Sequence, residues 1–184
     1  MIFSLGANHT ISLYLWFLTW GVNNINKSKM MSDRTEKLLW SIALPGFGQF
    51  LNRQYVKGIT LLVLEILINV QSNLNQIIIS SFEGNIRMAI DQTNYPWLMF
   101  YPCVYMFGIW DAYKDANGEI SQFSYLPFVL GAFFATIGII YSNTFHVSGI
   151  MLGPIWLPML YCGIGIAIGI LLMKWIHQKI QLMT

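Results

Sequence analysis

The chain of 184 residues is 55% hydrophobic and only 10% charged, with a formal net charge of +2. Soluble domains carry about 25% charged residues, so this composition excludes an ordinary soluble domain and points to an all-α, polytopic membrane protein of one helical domain. A net charge this small gives no argument for nucleic acid, so none is expected as a partner, and the ten Lys and Arg inform through their placement instead.

Residues 1–30 stand apart from the domain at 31–184. They hold the apolar run Ile11-Ser12-Leu13-Tyr14-Leu15-Trp16-Phe17-Leu18-Thr19-Trp20. With no basic segment before it and no small-residue cleavage site after it, the run makes a poor signal peptide. It reads either as an extra N-terminal span or as part of an over-extended start, with translation beginning at Met30 or Met31.

The first segment of the main domain, Leu38 to Leu51, has fourteen residues, whereas a full span needs roughly 20. It leads into Leu44-Pro45-Gly46-Phe47-Gly48-Gln49-Phe50-Leu51-Asn52-Arg53-Gln54-Tyr55-Val56-Lys57-Gly58. Pro45 removes a backbone donor, and Gly46 and Gly48 allow the chain to reverse. Gln49 and Asn52 are expected to supply amides for the backbone groups freed by the break. Arg53 and Lys57 read as a surface anchor or as a contact for an anionic headgroup or partner, with the acidic loop at Asp111 within reach.

Segment two runs from Gly58 to about Ser81. Glu65, Asn69, Ser72, Asn73 and Gln76 fall at i, i+4, i+7, i+8 and i+11, which places them on one face of a continuous helix. A mid-span carboxylate costs on the order of 2–3 kcal/mol unless it faces protein or water. This face therefore reads either as helix–helix glue or as an intramembrane polar site on a proton or cation path.

Segment three covers about Tyr95 to Trp110, with Pro96 and Pro102 predicting a kink. Segment four covers Leu126 to about Tyr141, and segment five about Val147 to Trp175, with Pro154 and Pro158 predicting a kinked or unwound start. Gly149 and Gly153, and again Gly165 and Gly169, form GxxxG pairs. They suit close packing within the chain, or contact with a membrane partner or a second copy.

The basic residues choose between two topologies. If segment one does not cross, Lys27, Lys29, Arg34, Lys37, Arg53, Lys57, Lys114, Lys174 and Lys179 share one side against Arg87 alone, nine against one. If it crosses, the division is five against five. Cytoplasmic loops carry the Lys and Arg excess, so the expectation is a re-entrant or interfacial first segment, four full spans and a cytoplasmic C-terminus.

The string Pro45-Gly46-Phe47-Gly48-Gln49, then Asn52, Gln54-Tyr55 and Lys57-Gly58, resembles the PGxGQxYNxQYxKG hairpin of small bacterial multi-pass membrane proteins, including relatives of the TM2 domain. Trp110-Asp111-Ala112-Tyr113 is similar to the WDAY ending that accompanies the hairpin in such proteins. The likeness spans residues 38–70 and 105–116. It implies membrane location and says little of activity.

Candidate chemistry is sparse. Cys103 and Cys162 lie in apolar runs without CxxC or Cys/His spacing, so neither a metal nor a cofactor is expected. His146, near Ser142, Thr144 and Ser148, has no orienting acid or GxSxG frame. The expected function is that of a non-enzymatic membrane protein acting as scaffold, accessory or regulatory subunit. The alternative is a small transporter or channel component that uses the stripe around Glu65.

Overall fold

The computed structural model describes residues 33–117, 120–147 and 149–182, so the two readings of residues 1–30 lie outside the described residues. The fold is helical: α1 (33–43), α2 (Phe47–Leu51), α3 (Tyr55–Ser72), α4 (Leu74–Phe82), α5 (Ile86–Gln92), α6 (Tyr95–Leu98), α7 (Tyr101–Lys114), α8 (Leu126–Tyr141) and α9 (Gly153–Gln181). A two-residue antiparallel ladder pairs His146 with Met151 and Val147 with Ile150 just before α9.

Segment one is two helices, not one. Helix α1 ends before Pro45, and Gly46 takes a left-handed φ of 93° at the start of α2. A Cβ at Gly46 would stand 2.6 Å from the Gly58 carbonyl oxygen, so the reversal and its close approach to α3 both require glycine. Helix α2 closes in a Schellman turn: the Gln54 N–H donates to the Gln49 carbonyl (2.8 Å) and that of Arg53 to Phe50 (2.9 Å). Arg53 takes the left-handed position at φ 61°, and its side chain points out, exposed.

Segment two is not a single helix over 58–81. Asn73 adopts φ 60°, ψ 31° and divides it into α3 and α4. Asparagine tolerates this conformation better than other side-chain-bearing residues, and its amide donates to the Gln92 carbonyl at 3.0 Å, tying the break to the end of α5. Segment three is likewise interrupted. Pro102 carries no N–H, and the chain passes through a short turn at 99–100 between α6 and α7.

Segment four coincides with α8. Segment five begins at Gly153 rather than at Val147, because His146–Val147 and Ile150–Met151 form the β ladder. Helix α9 then runs unbroken through Pro158, so the expected unwound start is absent.

Helices α3, α7, α8 and α9 alternate in direction. Helix α9 runs antiparallel to α8, with Gly138 against Pro158 at one end and Gly169 against Pro127 at the other. A buried cluster of Leu74, Ile77, Ala89, Leu98, Ile139 and Ile155 joins α4, α5 and α6 to one end of α8 and α9. Among the described residues, α3 and α9 are long and apolar enough to cross a membrane, and α8 is a shorter apolar helix. The apolar windows of both long helices are only 22% buried. They are thus not core helices of a soluble domain, whose apolar surface would be turned inward.

Candidate functional site

The motif hairpin lies along the end of α7, and a series of polar contacts traces its path. At the start of α1 the Arg34 guanidinium donates to the carbonyls of Ala116 (3.5 Å) and Asn117 (3.4 Å) and sits 5.1 Å over the Tyr113 ring. At its far end the Ile42 carbonyl accepts the Tyr105 hydroxyl at 2.6 Å. Helix α1 therefore descends from the level of residue 116 to that of residue 105, about 16 Å at the helical rise. Helix α2 climbs back, with Gln49 at Gly108 and Asn52 at Ala112. Both ends of the hairpin therefore lie toward the C-terminal end of α7.

Gln49 is the centre of the arrangement. It is fully buried, and its Nε2 donates to the Gly108 carbonyl (2.8 Å) and to Asp111 Oδ2 (3.2 Å). The Asn52 amide donates to the Ala112 carbonyl at 2.8 Å. Lys57 Nζ bridges Asp111 Oδ1 (3.0 Å) and Asp115 Oδ2 (2.8 Å). The close fit is set by small residues: a Cβ at Gly48 would overlap Ser41 Oγ and stand 2.6 Å from the Ala112 Cβ.

Gln49 and Asn52 thus satisfy carbonyls on α7, not the groups freed at the Pro45 break. That break is capped locally, by Phe47 N–H to the Leu44 carbonyl and Phe50 N–H to that of Gly46. Lys57 and Asp111 are brought together, whereas Arg53 stands apart at the surface. The Lys57 ammonium is thus shared between two carboxylates.

The Glu65 stripe does not survive as one face. Glu65 and Asn69 are half-buried on α3, and Ser72 is buried at its end. Gln76 lies beyond the Asn73 break and is exposed on α4. The Asn69 amide donates to Asn75 (3.3 Å) and the Ser72 hydroxyl to the Asn69 carbonyl (3.4 Å). Glu65 Oε2 is buried without a hydrogen-bond partner among the described residues. Tyr101 and Tyr105, stacked 5.5 Å apart on α7, lie within range of its charge.

The glycine pairs divide. Gly165 meets the Leu130 carbonyl, Gly169 meets Pro127 and Gly153 meets Ile86, all within this chain. Gly149 lies outside the helix, with nothing near it. Ser142 is buried and donates to the Ile139 carbonyl (2.8 Å), with the Tyr95 hydroxyl 3.3 Å away, while His146 Nδ1 lies 2.9 Å from the Thr144 carbonyl. Ser142 and His146 do not form a pair. Among the described residues no group of His, Cys, Asp and Glu could hold a metal.

Sequence reasoning missed the contacts of Asp33, Arg34 and Tyr105. Asp33 Oδ2 bonds Lys37 (2.7 Å) and the Asn117 amide (3.2 Å), closing the hairpin onto the residues that follow α7. Only the pairing of the corner with the Trp110–Tyr113 ending hinted at such a closure.

Acid should open this clasp. Partial burial pushes the Asp115 carboxyl up, but the hydrogen bonds from Lys57 and Gln54 and the charges of Lys57 and Lys114 outweigh it, holding the group below the ordinary 3.8. Asp33 is held below 3.8 chiefly by its hydrogen bond from Lys37. A depressed carboxyl contributes stability in full above the unfolded-state value and loses it as pH falls through the folded one. The unfolding midpoint in detergent is therefore expected to be level from about pH 8 to 5 and to fall below about pH 4. Lys57→Gln should flatten that fall; a midpoint that rises on acidification contradicts the assignment.

Compared with family models, with curated proteins and with solved structures, the chain matches none.

Proposed function

We propose that the chain is a non-enzymatic multi-pass membrane protein, a scaffold, accessory or regulatory subunit, whose motif fastens a re-entrant hairpin to the cytoplasmic end of a four-span bundle. The observation that carries this reading is the clasp. The Gln49 and Asn52 amide nitrogens donate to the α7 backbone and to Asp111, and Lys57 donates to Asp111, while Gln49 Oε1 and Asn52 Oδ1 are buried without a partner among the described residues. Donors used in this way hold two segments in register.

The four spans would be α3, α6 with α7, α8 and α9. At the helical rise, the 18 residues of α3 reach about 27 Å and the 29 of α9 about 43 Å. The exposed apolar flanks, including Val56, Val63, Val70, Phe107, Phe133 and Leu171, suit lipid or another membrane protein. A membrane partner or a second copy would meet those flanks, since the seam at Gly165 and Gly169 is occupied by α8. The alternation of the helices and the nine-to-one division of basic residues both favour a cytoplasmic C-terminus. The resemblance of residues 38–70 to TM2-like hairpins agrees with this location.

Orientation is read by labelling Tyr55→Cys in a chain whose Cys103 and Cys162 are replaced by Ser. A membrane-impermeant maleimide should react only after the cell is opened; labelling of intact cells refutes the topology. Function is read by purification in mild detergent, where a second protein at fixed stoichiometry is expected.

A transport reading has one observation of its own, the unpartnered Glu65 oxygen beside Tyr101 and Tyr105. It requires ion flux in liposomes that Glu65→Gln abolishes. Flux by the purified chain alone, lost in that variant, would replace the accessory reading.

A further inference from the structure

Two apolar grooves flank α7, and they end differently. The groove against α3, about 380 Å³, runs from Cys103 and Phe107 to Lys57 and Asp111. Its cation is already held by two carboxylates. The groove against α8 is larger, about 550 Å³, and is walled by Cys103, Phe107, Phe128, Val129, Phe133 and Thr136. It spans Tyr125 to Thr136 on α8, about 16 Å at the helical rise, which is close to the depth of one leaflet of a roughly 30 Å hydrocarbon core.

Trp110 and Tyr125 also line this second groove. Lys114, one turn beyond Trp110, is exposed and holds its ammonium 5.1 Å from the centroid of the Trp110 ring. Among the described residues Lys114 forms no ion pair. The Trp110 indole Nε1 is buried and has no acceptor among the described residues. The larger groove thus ends beside an exposed ammonium that stands over an indole ring, with the Asp115 carboxylate within range of its charge, where the smaller one ends on a cation held directly by two carboxylates.

We propose that the α7–α8 groove binds one anionic glycerophospholipid, with an acyl chain along the groove and the phosphate at Lys114. The site rests on the membrane reading above and gives the exposed flank of α7 a specific lipid occupant. Basic side chains at the cytoplasmic end of interhelical pockets are suited to such headgroups.

The test is native mass spectrometry of the full chain in mild detergent, titrated with phosphatidylglycerol or with phosphatidylcholine of the same acyl chains. Phosphatidylglycerol should be retained about fivefold better, the difference expected of one Lys at a membrane surface. Lys114→Gln, an exposed substitution, should equalise the two lipids. Ala132→Trp, on the groove wall, should reduce binding of both. A second reading avoids any bulky variant: in a Cys162→Ser chain, phosphatidylglycerol should slow maleimide labelling of Cys103, and Lys114→Gln should remove that protection. Equal retention of the two lipids by the unaltered chain, a preference that survives Lys114→Gln, or unprotected Cys103 overturns the proposal. A chain that stays soluble without detergent fails the membrane reading instead, so the two failures are distinguishable.

Discussion

Replacing Gln49 by leucine is expected to lower the thermal unfolding midpoint in detergent by about 5–10 °C. A lost buried hydrogen bond to a charged group costs about 2–3 kcal/mol, and each kcal/mol moves the midpoint of a chain of this size by about 2–4 °C. Leucine fills nearly the same volume, so the change removes hydrogen bonds without opening a cavity. Asp111 is 4% exposed. In the variant its carboxylate keeps Lys57 but loses the donor at Oδ2, and water reaches it poorly.

Lys57→Gln should cost less, although it removes a formal charge. The Lys57 side chain is 49% exposed, and ion pairs in contact with solvent are worth about 0–1 kcal/mol. The order of the two variants is the decisive result. If Lys57→Gln destabilises as much as Gln49→Leu, the clasp is held by charge at its rim rather than by the buried amide. If neither has an effect, the hairpin is held by apolar packing alone.

Hairpin reversal at residues 44–58 was legible because its signals are local. Pro45, Gly46 and Gly48 interrupt an apolar run, and no long-range partner is needed to see that a helix cannot continue through them. The division of basic residues was legible for a similar reason, since it needs only the order of apolar segments. Gln49 was visible as a polar residue in an awkward place, but its acceptor on Gly108 lies 59 residues away, beyond the reach of any periodicity.

Asn73 shows the converse error. In a 3.6-residue pattern it looked like one more polar position on the face of Glu65, yet its backbone is left-handed and its amide is held by Gln92, 19 residues on. A residue that ends one helix and starts the next is indistinguishable by spacing from a residue on the face of a single helix. Arg34 and Tyr105 carried no local signal, because their acceptors are backbone carbonyls, which every residue owns.

The GxxxG pairs were legible as contact surfaces but silent about their partner, and the α8–α9 seam allows a sharp test. Gly163→Ala and Gly165→Ala differ by two positions in the interior of the same helix. Both should gain the same helix propensity, roughly 1 kcal/mol. A Cβ at Gly163 meets nothing within 4 Å, whereas one at Gly165 would collide with the Leu130 carbonyl and stand 3.0 Å from the Phe134 Cβ. Leu130 is met through its backbone, which cannot rotate away, so α9 must shift from α8 along the seam. Overpacking typically costs about 1–3 kcal/mol, and in a bilayer close packing of this kind is a main source of helix association. Gly163→Ala is therefore expected to leave the unfolding midpoint unchanged or raised by up to about 4 °C, and Gly165→Ala, at a net cost of about 0–2 kcal/mol, to lower it by up to about 8 °C. If Gly165→Ala is as stable as Gly163→Ala, the two helices do not meet through Gly165. If Gly163→Ala is the damaging change and also dissociates an oligomer, the outer face of α9 is an interface between copies, and the glycines serve association on both sides of one helix.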